Sequence, residues 1–184
     1  FAGNDTTICY KTNASLSGSA SNLSGTVNYA WSPPDSLNTP NAATTIARID
    51  TTRKFTLTIT DNYGCNFSVA DSMWVIMMPP LVVFAGNDTN AILGRPHQMQ
   101  ASGGTNYAWS PTGPLNNPFI ANPLATLYND TYFHVLVTNA IGCTDDDDVF
   151  VKVYEGPTYY LPNAFTPNGD GLNDIFRPTP VGIQ

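Results

Sequence analysis

One short phrase occurs twice, and that repetition limits the fold more than any other feature of the chain. "FAGNDT" stands at Phe1–Thr6 and again at Phe84–Thr89, an offset of 84 − 1 = 83. "YAWSP" stands at Tyr29–Pro33 and Tyr107–Pro111, and "GC" at Gly64-Cys65 and Gly142-Cys143. Both of those pairs are offset by 78 (107 − 29 and 142 − 64). Three matches in the same order indicate a tandem duplication, so a unit of about 80 residues must close its own core twice. The five-residue difference falls between Gly18 and Tyr29, where "SASNLSGTVN" has loop composition.

Each unit reads as all-β. Phe55, Leu57 and Ile59 alternate with Thr56, Thr58 and Thr60, the period of a half-buried strand. Phe133, Val135 and Val137 repeat the pattern, and Val149, Val151 and Val153 supply another strand. Turn residues, Asn62-Tyr63-Gly64 and Asn139 to Gly142, precede the last strands. Short strands and frequent turns in units of this size predict antiparallel sandwiches of immunoglobulin-like dimensions. Trp31 and Trp109, at matching positions, are expected to fill the space between the sheets, with each indole N–H finding a partner. The competing reading is an exposed aromatic that stacks on sugar rings.

The expected domains are 1–79, 80–156 and a short segment, 157–184. Val75–Leu81, with Pro79-Pro80, reads as a short semi-rigid linker between the sandwiches. The chain begins with Phe1 and shows no signal peptide, so it reads as a fragment with its first strand clipped. Seven Lys+Arg against 14 Asp+Glu leave a net charge of −7, which disfavours nucleic acid and anionic membrane as partners. No run of 18 apolar residues is present, so no membrane-spanning helix is expected.

"YAWSP", the Asn-x-x-Gly-Cys turn of the second copy and the "AGNDT" opening resemble PKD-like domains of Bacteroidetes surface proteins, over about 155 residues. Where such domains carry an aromatic-Asp-Phe-Gly-Asp-Gly run after the Trp, this chain has Ser32-Pro33 and Ser110-Pro111.

Cys143 matches Cys65 (65 + 78), whereas Cys9 maps onto Ile92 (9 + 83). A Cys9–Cys65 disulfide within the first unit is the economical expectation. It would contribute roughly 4 kcal/mol in the chain-entropy picture and imply an oxidising compartment. Cys143 is then expected as an unpaired, buried thiol.

Groups for catalysis do not converge. The two histidines, His97 and His134, lie apart in sequence, and His134 is out of phase with the buried positions of its strand. No Gly-x-Ser-x-Gly elbow, zinc spacing or phosphate loop is present, so a non-enzyme is expected. The Asp145–Asp148 run reads as a solvated loop, since neighbouring carboxylates in an extended chain cannot all meet one ion. Thr6, Ser36, Thr51 and Ser72 each follow an Asp in triplets resembling an O-glycosylation pattern of Bacteroidetes envelope proteins. The plainer reading is a turn in which Asp caps backbone N–H groups.

The last 26 or so residues carry the most specific motif, "LPNAFTPNGDGLNDIF". Phe165, Pro167, Asn168, Gly169, Asp170, Gly171, Asn173 and Asp174 closely resemble the opening of the gliding-motility-associated C-terminal domain. That is the type B sorting domain of type IX secretion substrates. The resemblance implies export through the type IX translocon, via the periplasm, to the outer face of the outer membrane. An outer-membrane barrel protein would serve as shuttle or attachment partner. Only eight residues follow Phe176, so the sorting sandwich reads as incomplete.

Set against a calcium loop with Gly171 at its sixth position, the motif places Asn168, Asp170 and Asp174 where oxygen ligands belong. Arg177 stands where the bidentate Glu would be, which excludes a full EF-hand. Calcium is thus the one cofactor the motif suggests, and a glycine-permitted turn is the alternative. Together these readings describe a non-catalytic, disulfide-assisted surface stalk of a large exported adhesin, one that the resemblance links to gliding. The alternatives are accessory modules of an exported hydrolase, or glycan-binding modules.

Overall fold

A computed structural model describes residues 1–21, 26–62, 67–156, 158–160 and 179–181. The sorting motif, including Asn168, Asp170 and Asp174, lies outside the described residues, as does Cys65. Among the described residues every regular element is a β-strand. The chain divides into two compact units, Phe1–Pro80 and Leu81–Gln184.

The first unit contains β1 (Thr6–Ile8), β2 (Ala14–Ser17), β3 (Val27–Ser32), β4 (Thr44–Ala47), β5 (Arg53–Asp61) and β6 (Phe67–Met77). One sheet has the order β1-β6-β5-β3, and β2 pairs with β4 in a second. β1 runs parallel to β6, from Thr6 opposite Val75 to Ile8 opposite Met77, while the other pairings are antiparallel. The alternation read in Phe55–Thr60 is the reason β5 lies where it does. Phe55, Leu57 and Ile59 are buried, and they meet Leu16 of β2 and Ala47 of β4 in one core between the sheets. Each such side chain contributes roughly 1.5–3 kcal/mol by leaving water. β6 continues to Met77, and Met78 N–H donates to the Ile8 carbonyl, so Val75–Met77 is strand rather than linker.

The second unit repeats this plan with β7 (Thr89–Ile92), β8 (Pro96–Gln98), β9 (Asn106–Ser110), β10 (Leu124–Thr126), β11 (Thr131–Thr138) and β12 (Thr144–Tyr154). Its sheets have the orders β7-β12-β11-β9 and β10-β8. Phe133, Val135, Val137, Val149 and Val151 are buried around Trp109. The protein is therefore all-β, with two β-sandwiches in tandem. Two further strands, β13 (Thr158–Tyr160) and β14 (Thr179–Val181), pair antiparallel and flank the terminal motif in sequence.

The acidic run is not a loop. Asp145–Asp148 belongs to β12 and pairs in register with Val135, Leu136 and their neighbours on β11. Asp is a poor strand former, but an exposed sheet face leaves its carboxylate hydrated, and ladder hydrogen bonds decide the backbone.

Candidate functional site

The repeated motifs prove to be matching sets of clamps. In "FAGND" the Ala is buried, and its backbone N–H donates to a carboxylate on the last long strand. Ala2 donates to Asp71 and Ala85 to Asp147, at 2.8 Å in both cases. The following Gly turns through a left-handed conformation, with φ of 94° at Gly3 and 91° at Gly86, which a side chain would resist. The Asp then reaches back. Asp5 accepts from Trp74 N–H at 2.8 Å, and Asp88 from Phe150 N–H at 2.9 Å. The N–H bonds of Ala2 and Ser72 hold the Asp71 carboxyl below its ordinary value of 3.8.

"YAWSP" builds the core. Trp31 and Trp109 are each only 2% exposed, and their indole N–H groups donate to the carbonyls of Ala42 and Ile120 at 3.0 Å. They are core residues and not sugar-stacking ones. Ser32-Pro33 and Ser110-Pro111 are cis peptides in both copies.

The cysteine expectations need correction. Cys9 and Cys143 are both disulfide-bonded, and with three cysteines in the chain that makes them partners of each other. Cys143 is thus no free thiol, and Cys9 does not pair with Cys65. The reason is visible inside the first unit. Cys9 follows Ile8, which pairs with Met77 at the end of β6, whereas position 65 lies two residues before Phe67 at its start. Ten strand steps separate those ends by about 33 Å, and two residues of chain recover only about 7 Å. A disulfide needs Cα atoms within roughly 7 Å. The second unit shows the same separation. Ile92, in the place of Cys9, pairs with Tyr154, while Cys143 immediately precedes Thr144 at the opposite end of β12.

Among the described residues no group of three His, Cys, Asp or Glu side chains could hold a metal ion. His134 and the acidic run do meet: His134 Nδ1 lies 2.8 Å from Asp148 and 3.8 Å from Asp146, all on the solvent face. Asp147 turns the other way, toward Ala85. A cavity of about 170 Å³ opens beside Ala85–Asn87, and His97 lines it, but its walls include no carboxylate or cysteine. The glycosylation candidates differ in access. Thr51 is exposed and Thr6 half-buried. Ser36 accepts a hydrogen bond from the Arg53 guanidinium, and Ser72 sits opposite Thr56 on the sheet face.

Sequence reading missed the exposed aromatics. Trp74 is 44% exposed and Tyr132 is 74% exposed, and the Tyr132 ring lies 4.4 Å from that of Phe150. The signal was available: Tyr132 and His134 share the phase opposite to Phe133 and Val135.

No protein-family model matches the chain, and no curated protein does. Solved structures of tandem domains are similar over most of its length. The Sidekick-1 immunoglobulin domains 1–4 match at 9% identity and a TM-score of 0.41, over 84% of this chain and 48% of that one. DIP-gamma IG1+IG2 matches at 12% identity and a TM-score of 0.40, over 83% of this chain and 95% of that one. The two-sandwich assignment itself rests on strand order and the two separate cores described above.

Proposed function

We propose that the chain is a non-catalytic stalk from near the C-terminus of a large exported surface protein, an adhesin sent out by type IX secretion. In this reading residues 1–79 and 80–156 are spacer sandwiches, and 157–184 opens a type B sorting domain. The observation that carries it is the run Leu161–Phe176, whose order of Pro, Phe, Asn, Gly and Asp is long and strict. The disulfide supports an oxidising destination. Two independent cores, each clamped at its opening strand, suit a repeated module whose task is to hold other domains away from a surface. The mechanism is display, with export partners recognising the terminal segment and an outer-membrane barrel protein retaining it.

The test uses the native protein in its own cells. Antibody against the sandwiches, applied to intact cells, should label the surface, and deletion of the type IX translocon should trap the protein in the periplasm. Cytoplasmic location, or surface labelling that ignores the translocon, overturns the reading.

A further inference from the structure

Both copies of "GNDT" use their Asp to fix one backbone position of the long last strand, and in both that position carries an aromatic side chain on the outer sheet face, exposed at Trp74 and half-buried at Phe150 beneath Tyr132. Asp5 holds Trp74 and Asp88 holds Phe150. These two residues are structural equivalents, as Asp71 and Asp147 also are, with the same offset of 76 (150 − 74 and 147 − 71). Across the sheet Trp74 pairs with Lys54, and Phe150 pairs with Tyr132. Neither row serves the core, since the inward neighbours Phe55, Met73, Phe133 and Val149 already fill it.

The surroundings of the two rows are polar. Next to the Tyr132–Phe150 pair stand His134 and Asp148 on one side and, on the other, Lys152, whose ammonium lies over the Tyr154 ring. Next to the Lys54–Trp74 pair stand Thr56 and Ser72. An exposed ring on a sheet face, bordered along the strands by donors and acceptors, matches a pyranose. The sugar's C–H face covers the aromatic ring, and its hydroxyls replace water on the polar neighbours. Charge narrows the class further. The net charge of −7 and the carboxylates of Asp146 and Asp148 oppose anionic polymers. Lys54 and Lys152 beside the rings oppose cationic ones.

We propose that the outer face of each large sheet is a binding site for an uncharged glycan, with Trp74 the stacking residue of the first unit and Tyr132, braced by Phe150, that of the second. This proposal does not depend on the export reading, because it concerns the sandwiches alone.

The experiment titrates the intact chain with cellohexaose, chitohexaose and mannohexaose, following tryptophan fluorescence and heat. Sedimentation with insoluble cellulose and chitin accompanies it. At least one of these neutral sugars should bind with two sites per chain. Trp74→Ala and Tyr132→Ala should each abolish one site or weaken it roughly tenfold, the scale of a lost aromatic contact. Leu136→Ala, on the same face but away from the rings, should bind as the parent does. Melting curves identify any variant that fails to fold, in which case Tyr132→Phe and Trp74→Phe are expected to keep binding and Tyr132→Ser and Trp74→Ser to lose it. The proposal falls if none of the sugars binds, or if binding survives the double substitution. It falls equally if sedimentation shows a dimer that the double substitution dissociates, which would assign the face to a second copy.

Discussion

The outer faces of the two large sheets are built on the same grid and carry different chemistry. In the first unit the rows across β3, β5 and β6 read Ser32–Thr56–Ser72, Ala30–Thr58–Ala70 and Asn28–Thr60–Ser68. At the corresponding rows of the second unit they read Ser110–His134–Asp148, Ala108–Leu136–Asp146 and Asn106–Thr138–Thr144. The first column is identical, because it belongs to the repeated "NYAWS". The other two have diverged from neutral hydroxyls and methyls to an imidazole among carboxylates. The inner faces, by contrast, keep Trp opposite Leu57 in one unit and Trp opposite Val135 in the other, with a buried Phe at each of Phe55 and Phe133. Across β5 and β11, outside the repeated "NYAWS", the change in polarity has therefore fallen on the solvent face and not on the inner one. A side chain facing water can change charge at little cost, whereas one between sheets must conserve volume and polarity.

The largest effect should come from breaking one inner face. Phe133 is fully buried and meets Trp109 edge-on at 6.3 Å between ring centroids. Phe133→Ala should cost about 3–5 kcal/mol, a large part of the stability of a domain this size. Because each core is separate, the unfolding transition of the second unit should drop and that of the first should stay. Phe55→Ala should do the reverse. Calorimetry of both variants checks this, and transitions that move together in either variant would show that the two cores melt as one.

A smaller effect distinguishes the clamps by pH. Asp71 has its carboxyl held below the ordinary value of 3.8, first by the N–H of Ala2 and then by that of Ser72. A carboxylate depressed in the folded state stabilises above its unfolded pKa, and that contribution disappears as pH falls through the folded value. Asp71→Asn should therefore lower the melting temperature of the first unit at neutral pH, and the gap from the parent should close in acid, below about pH 4. The second unit should not respond to this substitution at any pH. A gap that persists unchanged in acid would mean that Asp71 acts by packing and not by charge.

These clamps mark where sequence reading stopped. The alternation of Phe55, Leu57 and Ile59 announced β5, and the repeated Trp announced the core, because burial imposes a period and a size that composition displays. The pairing of Asp71 with Ala2 spans 69 residues of chain, and nothing local to either residue signals it. The parallel pairing of β1 with β6 is equally non-local, and without it the distance that rules out Cys9–Cys65 could not be seen. The acidic run misled for a related reason. Four Asp residues have loop propensity, but strand identity here is set by partners on β11, with Asp147 also accepting from the Ala85 N–H. The offset also changes from 78 at "GC" to 76 at the clamps, so the first unit has two more residues between its Gly-Cys and its clamp Asp (71 − 65 = 6 against 147 − 143 = 4).

The smallest effect tests whether the divergent outer face matters to folding at all. His134 and Asp148 form a hydrogen-bonded pair, and an ion pair when the imidazole is protonated, with side chains 46% and 71% exposed, where solvent screens the attraction and two side chains must be held still. Replacing them with their counterparts from the first unit, His134→Thr with Asp148→Ser, exchanges one exposed row for another that the same backbone already supports. The change in stability should stay within about 1 kcal/mol, and a double-mutant cycle should find a coupling of roughly 0.2–1 kcal/mol that shrinks with added salt. A loss well beyond that would make the row structural, and its chemistry would then have been set by the fold. A loss within it leaves the outer grid free of folding constraint, so that what has been kept there, an aromatic row pinned by an Asp in both units, requires a reason outside stability.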